Sequence, residues 1–188
     1  MWSFPWPTRR SRASSALAGS ARALGLIKDP VYAGKIRAAL AEYRKQVDAL
    51  ELKNPYGLPY EPEIWGAGWN VERFGVQQYF LHVGAPDIFP ATYMMHSIDF
   101  ILGCHPGSNT ASFVSGVGAK SMIPAYGMNR GDWSYIPGGI ASGTALIRPD
   151  FPELLEWPFL WQQGEYCLGY STSDYVFLIL AADHLLKN

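Results

Sequence analysis

Glu165 stands in WQQGEYCLGYSTSDYVFLILAADHLL, residues 161–186, among aromatic and small residues, and no Lys or Arg occurs between Arg148 and Lys187. A carboxyl set near apolar groups without a cationic neighbour tends toward a raised pKa, so it holds a proton that it can donate. That is the chemistry of a general acid, unless a cation reaches it from elsewhere in the fold. A second group of chemically able residues lies upstream in YGMNRGDWSYIPGG, 126–139: Arg130 offers donors, Asp132 an acceptor, and Trp133 and Tyr135 flat apolar faces. Trp65, Trp69, Trp157 and Trp161 extend the aromatic set. A pyranose ring stacks its C–H face on an indole while polar side chains take its hydroxyls at the edge. The alternative for each Trp is ordinary packing.

Other motifs carry less. GVGAKS (116–121) has the glycines and Lys-Ser of a phosphate cradle at the wrong spacing. GYSTS (169–173) lacks the second glycine of a nucleophile elbow, and its serines read as helix caps. His82, His96, His105 and His184 are scattered, so neither a metal nor a cofactor is expected. Cys104 and Cys167 read as packed small apolar groups rather than a disulfide.

The elements that must position these residues read as helices. Ser14 or Ser15 can cap a helix running to about Gly25, leaving 1–13 as an irregular segment ahead of a single unit over 14–188. From Pro30 to Leu50, Val31, Ile36, Leu40, Tyr43, Val47 and Leu50 recur at helical spacing and predict one buried stripe. Further helices are expected over Trp69–Val83 and Phe89–Leu102, with Gly84 and Gly103 as stops. A long loop follows, since nine of the 19 glycines fall between 103 and 143. Long loops inside compact domains are commonly functional. A last helix begins after Ser171, with Asp174 completing a capping-box pair.

Composition bounds the partners. Charged residues are only 16% of the chain and the formal net charge is -1, which excludes the basic footprint of nucleic-acid binding. The longest apolar run, YVFLILAA at 175–182, is too short to cross a bilayer, so no membrane span is expected. Arg22 interrupts the apolar stretch after the basic cluster TRRSR, which leaves no clear signal peptide.

In order and spacing, NPYGLPY (54–60), WGAGWN (65–70), DFILGCHPG (99–107), SFVSGVGAKS (112–121), YGMNR (126–130), PGG (137–139) and GEYCLGY (164–170) resemble the C-terminal part of family 9 glycoside hydrolases, the cellulase-like enzymes. The resemblance runs from about residue 14 to the end. It implies a mainly α fold, part of an (α/α)6 toroid built here from about five helices and the long loop. It also implies inverting hydrolysis of β-glycosidic bonds in a polysaccharide or oligosaccharide, as an endoglucanase or related β-glycosidase, in an enzyme that works outside the cell or in the periplasm. Glu165 matches the family's general acid, and Arg130 matches the Arg of a substrate-binding His-His-Arg loop whose other places hold Met128 and Asn129. Asp132, Trp133 and Trp161 are expected to bind sugar beside it. Gly164 stands where an Asn is usual before the acid, and Gly169 and Ser171 stand where Asp and Asn are usual after it. The family's catalytic base, in an Asp-Ala-Gly-Asp motif, has no counterpart here, so the N-terminal half of the catalytic domain is expected to be missing from this chain. The rival expectations are a non-catalytic carbohydrate-binding remnant and a helical interaction protein in which Glu165 is a structural helix-end carboxylate.

Overall fold

The computed structural model describes residues 9–52, 56–58, 67–106, 110–121, 125–126, 133–134, 136–140 and 170–187. These form a mainly helical structure of α1 (Arg9–Ala23), α2 (Pro30–Glu51), α3 (Ala67–Gly84), α4 (Thr92–Ile101) and α5 (Tyr170–Lys187). A single 3-10 turn, Leu24–Leu26, separates α1 from α2. Among the described residues between α4 and α5 are four two-residue strands: β1 (Ala111–Ser112) pairs in parallel with β2 (Lys120–Ser121), and β3 (Ala125–Tyr126) pairs antiparallel with β4 (Trp133–Ser134). Among the described residues no helix is long and apolar enough to cross a membrane.

Helix α2 follows its sequence pattern closely. Asp29 caps it, its Oδ1 accepting from the Val31 amide at 2.9 Å, and Pro30 occupies the first turn, where its missing N–H costs nothing. Ile36, Leu40 and Val47 are buried, but Val31 at the head of the expected stripe is 66% exposed because the stripe meets its neighbours only from the second turn onward. Arg44 ties α2 to the turn before α4. Its Nε donates to Asp48 at 2.5 Å and an Nη to the Ile88 carbonyl at 2.7 Å, while its guanidinium lies 4.9 Å from the Tyr93 ring centroid. The Tyr93 hydroxyl donates to Asp48 and lies 3.2 Å from the Glu51 Oε2.

Helix α3 is the hub, packed against α1, α4 and α5. Two glycines permit that. A Cβ on Gly84 would stand 2.3 Å from the Ala21 carbonyl oxygen of α1, and one on Gly75 would stand 2.9 Å from Ser97 Cβ of α4 and 3.1 Å from Leu178 of α5. The Gly84 that ends α3 therefore serves close helix approach in addition to termination. Ala18, Ala21, Leu40, Leu81 and Phe89 make one apolar cluster across α1, α2 and α3, and Met94, Ile98, Leu178 and Ala181 another across α4 and α5.

Three boundaries depart from expectation. Helix α1 starts at Arg9, ahead of the serines expected to cap it, and Ser14 is buried within it; residues 1–8 lie outside the described residues. Helix α4 starts at Thr92, because Phe89 is instead buried in the preceding turn. Helix α5 has already begun at Tyr170, so Asp174 is an interior helical residue with an occluded, unpartnered Oδ2 rather than half of a capping box.

Candidate functional site

At the C-terminal end of α4 the chain turns sharply. Gly103 has φ 67, in the left-handed region where a Cβ is strained, and the helix stops there as its sequence position predicts. The following residues fold back over the helix end: the Phe113 amide donates to the Ile101 carbonyl at 2.8 Å and the Ala119 amide to the Leu102 carbonyl at 2.8 Å. Gly118, at φ 91, lies so close that a Cβ would stand 2.3 Å from the Leu102 carbonyl oxygen. The glycines of GVGAKS thus wrap a strand turn around a helix end, and Lys120 and Ser121 belong to β2.

Buried Ser112 fixes this turn from inside. Its Oγ accepts from the Val114 amide at 3.1 Å and lies 3.2 Å from the Val114 carbonyl. Val114 in turn bridges to Ile140, the Ser115 amide donates to the Gly139 carbonyl at 2.9 Å, and the Gly138 amide to the Ser115 carbonyl at 2.8 Å. The residues just after β4 are therefore anchored to the residues just after α4.

On the other side sit residues 56–58 of the NPYGLPY segment. Tyr56 is buried edge-on against Phe100, centroids 5.2 Å apart, and against His105 at 4.1 Å, while Phe100 stacks on His105 at 5.7 Å. His96 Nδ1 lies 2.8 Å from the Gly57 carbonyl, which fixes Nδ1–H as the donor and leaves Nε2 as the other face of the ring. Half-buried Asp99, one turn along α4, has its carboxyl pKa raised by burial and partly drawn back by His96. Tyr56, Leu58, Val71, Phe100, Ile101, Phe113, Val114 and Ile140 form one buried cluster, with Leu102 and Tyr175 packed on it.

Most of the sequence-predicted site falls outside the described residues: Glu165, Arg130, Asp132 and Trp161 all do, as do Trp65 and Trp157. Trp133 is in β4, where it pairs with Tyr126 of β3. Half-buried Trp69 lies on α3. Cys104 is exposed and unpaired, not packed as expected, because the turn after Gly103 lifts it off the cluster; Cys167 lies outside the described residues. Among the described residues no group of three or more His, Cys, Asp or Glu side chains could hold a metal ion.

Sequence reasoning missed the roles of His96 and His105. Their scattered positions hide that each meets the same short segment, Tyr56-Gly57, and only the pairing of a histidine with a helix end near a Gly-rich turn could have signalled it.

Comparison with known proteins adds no assignment: no family model, curated protein or solved structure matches this chain.

Proposed function

We propose that this chain carries the general-acid part of an inverting β-glycosidase site, within a partial (α/α)6 toroid resembling family 9 glycoside hydrolases. Glu165 protonates the leaving glycosidic oxygen, and Arg130, Asp132, Trp133 and Trp161 hold the sugar around it. The observation that supports this reading is convergence. Three segments that carry the resemblance, 54–60, 99–107 and 112–121, supply a single buried cluster through Tyr56 and Leu58, Phe100 and Ile101, Phe113 and Val114, joined by Val71 and Ile140 from outside them and with Tyr175 of α5 packed against it. A motif series matched by chance has no reason to meet in space. The β3–β4 pair, whose connection holds Arg130 and Asp132 in sequence, is followed directly by the anchored residues 136–140.

Inverting hydrolysis needs a second carboxylate that activates water on the far side of the sugar ring, about 6.5 to 9.5 Å from the acid. No Asp-Ala-Gly-Asp segment occurs among these residues, so the base comes from elsewhere in the working enzyme. The same absence favours the second reading, a carbohydrate-binding unit without catalysis. Glu165→Gln separates them. In enzyme that includes the base, the substitution should lower turnover of unactivated β-glucans by about two to four orders of magnitude, with a much smaller loss on aryl glycosides whose leaving groups need no proton. Equal losses on both substrates would remove the acid role, and unchanged turnover with intact oligosaccharide binding would leave the binding unit.

A further inference from the structure

A cavity of about 210 Å³ opens where α1, α3 and α5 meet, away from the cluster at the end of α4. Its lining includes Arg22 of α1, Arg73 and Gln77 of α3, and Asp174 of α5, over the ring of Phe80. The Arg22 guanidinium carbon lies 4.3 Å from the Phe80 centroid, which orients the planar fork by stacking and leaves its N–H groups uncommitted. Gln77 is held in place by donating to Ser15 Oγ at 2.9 Å.

The charges in this cavity are incompletely paired. Arg22 and Arg73 form no ion pair or hydrogen bond among the described residues. Asp174 Oδ2 is occluded from solvent and has no hydrogen-bond partner. Arg73 acts on Asp174 only through space, and this does not offset burial, which pushes the Asp174 carboxyl above its usual range. Folding alone gains nothing from this arrangement, since an Asp interior to a helix and half-buried without a donor costs stability. Two guanidinium forks facing one space suit a carboxylate, and the Asp174 carboxyl, which lines the same space, accepts a hydroxyl there.

We propose that this cavity binds a small hydroxylated carboxylate the size of one sugar-acid ring, its anionic end on Arg22 and Arg73, a hydroxyl on Asp174 and its apolar face toward Phe80. The site is independent of the glycosidase reading, which uses none of these residues.

The test is calorimetric titration of the full chain with glucuronate, with glucose and inorganic phosphate in parallel as probes that lack the anion or the hydroxyl row. Saturable glucuronate binding is expected, at least tenfold weaker in Arg73→Gln and in Arg22→Gln, several-fold weaker in Asp174→Ala, and with neither probe binding comparably. Arg73 is exposed and acts on Asp174 only through space, so its substitution shifts the melting temperature little and separates binding from folding. Absence of glucuronate binding, equal binding of glucose or phosphate, or indifference to both arginine substitutions would each overturn the proposal.

Discussion

Two residues with raised proton affinities lose stability as pH rises, each in its own window. The Tyr93 hydroxyl is pushed well above the usual tyrosine range, chiefly by burial and then by donating to Asp48, with Arg44 opposing. A group whose folded pKa is raised supplies stability that is complete below its unfolded pKa and is lost as pH climbs through the folded one. Stability should therefore decline with alkaline pH from about pH 10 upward, the ordinary tyrosine value. Tyr93→Phe should cost about 1 kcal/mol at neutral pH, the net worth of one such hydrogen bond, and should flatten part of the alkaline decline. Urea titrations at pH 7 and above pH 10 measure both effects; identical alkaline slopes would show that Tyr93 does not carry the linkage. Asp174 is also raised, by burial against a weaker pull from Arg73. Its folded state favours the proton, so the carboxyl stabilises fully only below the unfolded value near pH 3.8 and loses that contribution as pH rises through the folded pKa. Asp174→Asn should raise the melting temperature at pH 7, with the gain vanishing by about pH 3, below the ordinary aspartate range. A lower melting temperature at pH 7 would mean that the aspartate has a partner that strengthens the fold. At this scale the sequence shows little of either environment: Tyr93 and Asp48 are 45 positions apart, and no local pattern announces their hydrogen bond.

Helices were legible in proportion to how one-sided they are. Helix α2 faces neighbours along one stripe, and its capping Asp29, its Pro30 and its apolar spacing agree, so its bounds follow from sequence almost to the residue. Helix α3 is surrounded, with Val71, Glu72, Gln78 and Leu81 all fully buried, and a helix buried on several sides loses the contrast that defines an amphipathic pattern. Its existence could be read, but its partners could not. They were encoded in Gly75 and Gly84, which in sequence look like weak points of a helix and in the structure are where α4, α5 and α1 come closest. The helical scale therefore has a sharp test. Gly84→Ala places a methyl 2.3 Å from backbone oxygen of Ala21, which no rotamer change relieves, whereas Gly34→Ala on α2 meets nothing within 4 Å. Alanine at position 34 should stabilise by up to about 1 kcal/mol through helix propensity. At position 84 the same propensity gain should be overwhelmed by displacement of α1, with a net loss of about 1 to 3 kcal/mol. Equal effects in thermal melts of the two variants would show that α1 does not rest on Gly84. Residues 110–121 were legible only as part of a loop. Its glycines predicted a loop, while the folding of 112–121 over the end of α4 depends on carbonyls of Ile101 and Leu102 that have no sequence signature.

At the scale of the whole molecule, apolar surface remains uncovered among the described residues. Val176 and Leu180, one turn apart on α5, are 51% and 65% exposed, and Leu186 near its end is 75% exposed. On α2, Val31 and Tyr32 face outward as well. Scattered apolar residues are ordinary on protein surfaces, but Val176 and Leu180 share one face of a helix whose other face packs on α3 and α4. In a closed ring of helices such a face would be covered by the next hairpin. The candidate acid without a recognisable base motif points the same way at the level of chemistry, and the two lead to a joint prediction for the chain on its own. It should enhance the fluorescence of a hydrophobic dye, and Val176→Ser with Leu180→Ser should reduce that enhancement while leaving helix content unchanged, because neither side chain belongs to the buried clusters. It should also release no reducing sugar from β-glucan, since protonating the leaving oxygen without activating water removes only part of the barrier. Dye fluorescence, circular dichroism and a reducing-sugar assay on the same preparation test both halves. Measurable β-glucan hydrolysis by this chain, abolished by Glu165→Gln, would mean that a base lies within these 188 residues outside any Asp-Ala-Gly-Asp motif. The search for it would begin with Asp132 and the other carboxylates of the loop-rich half.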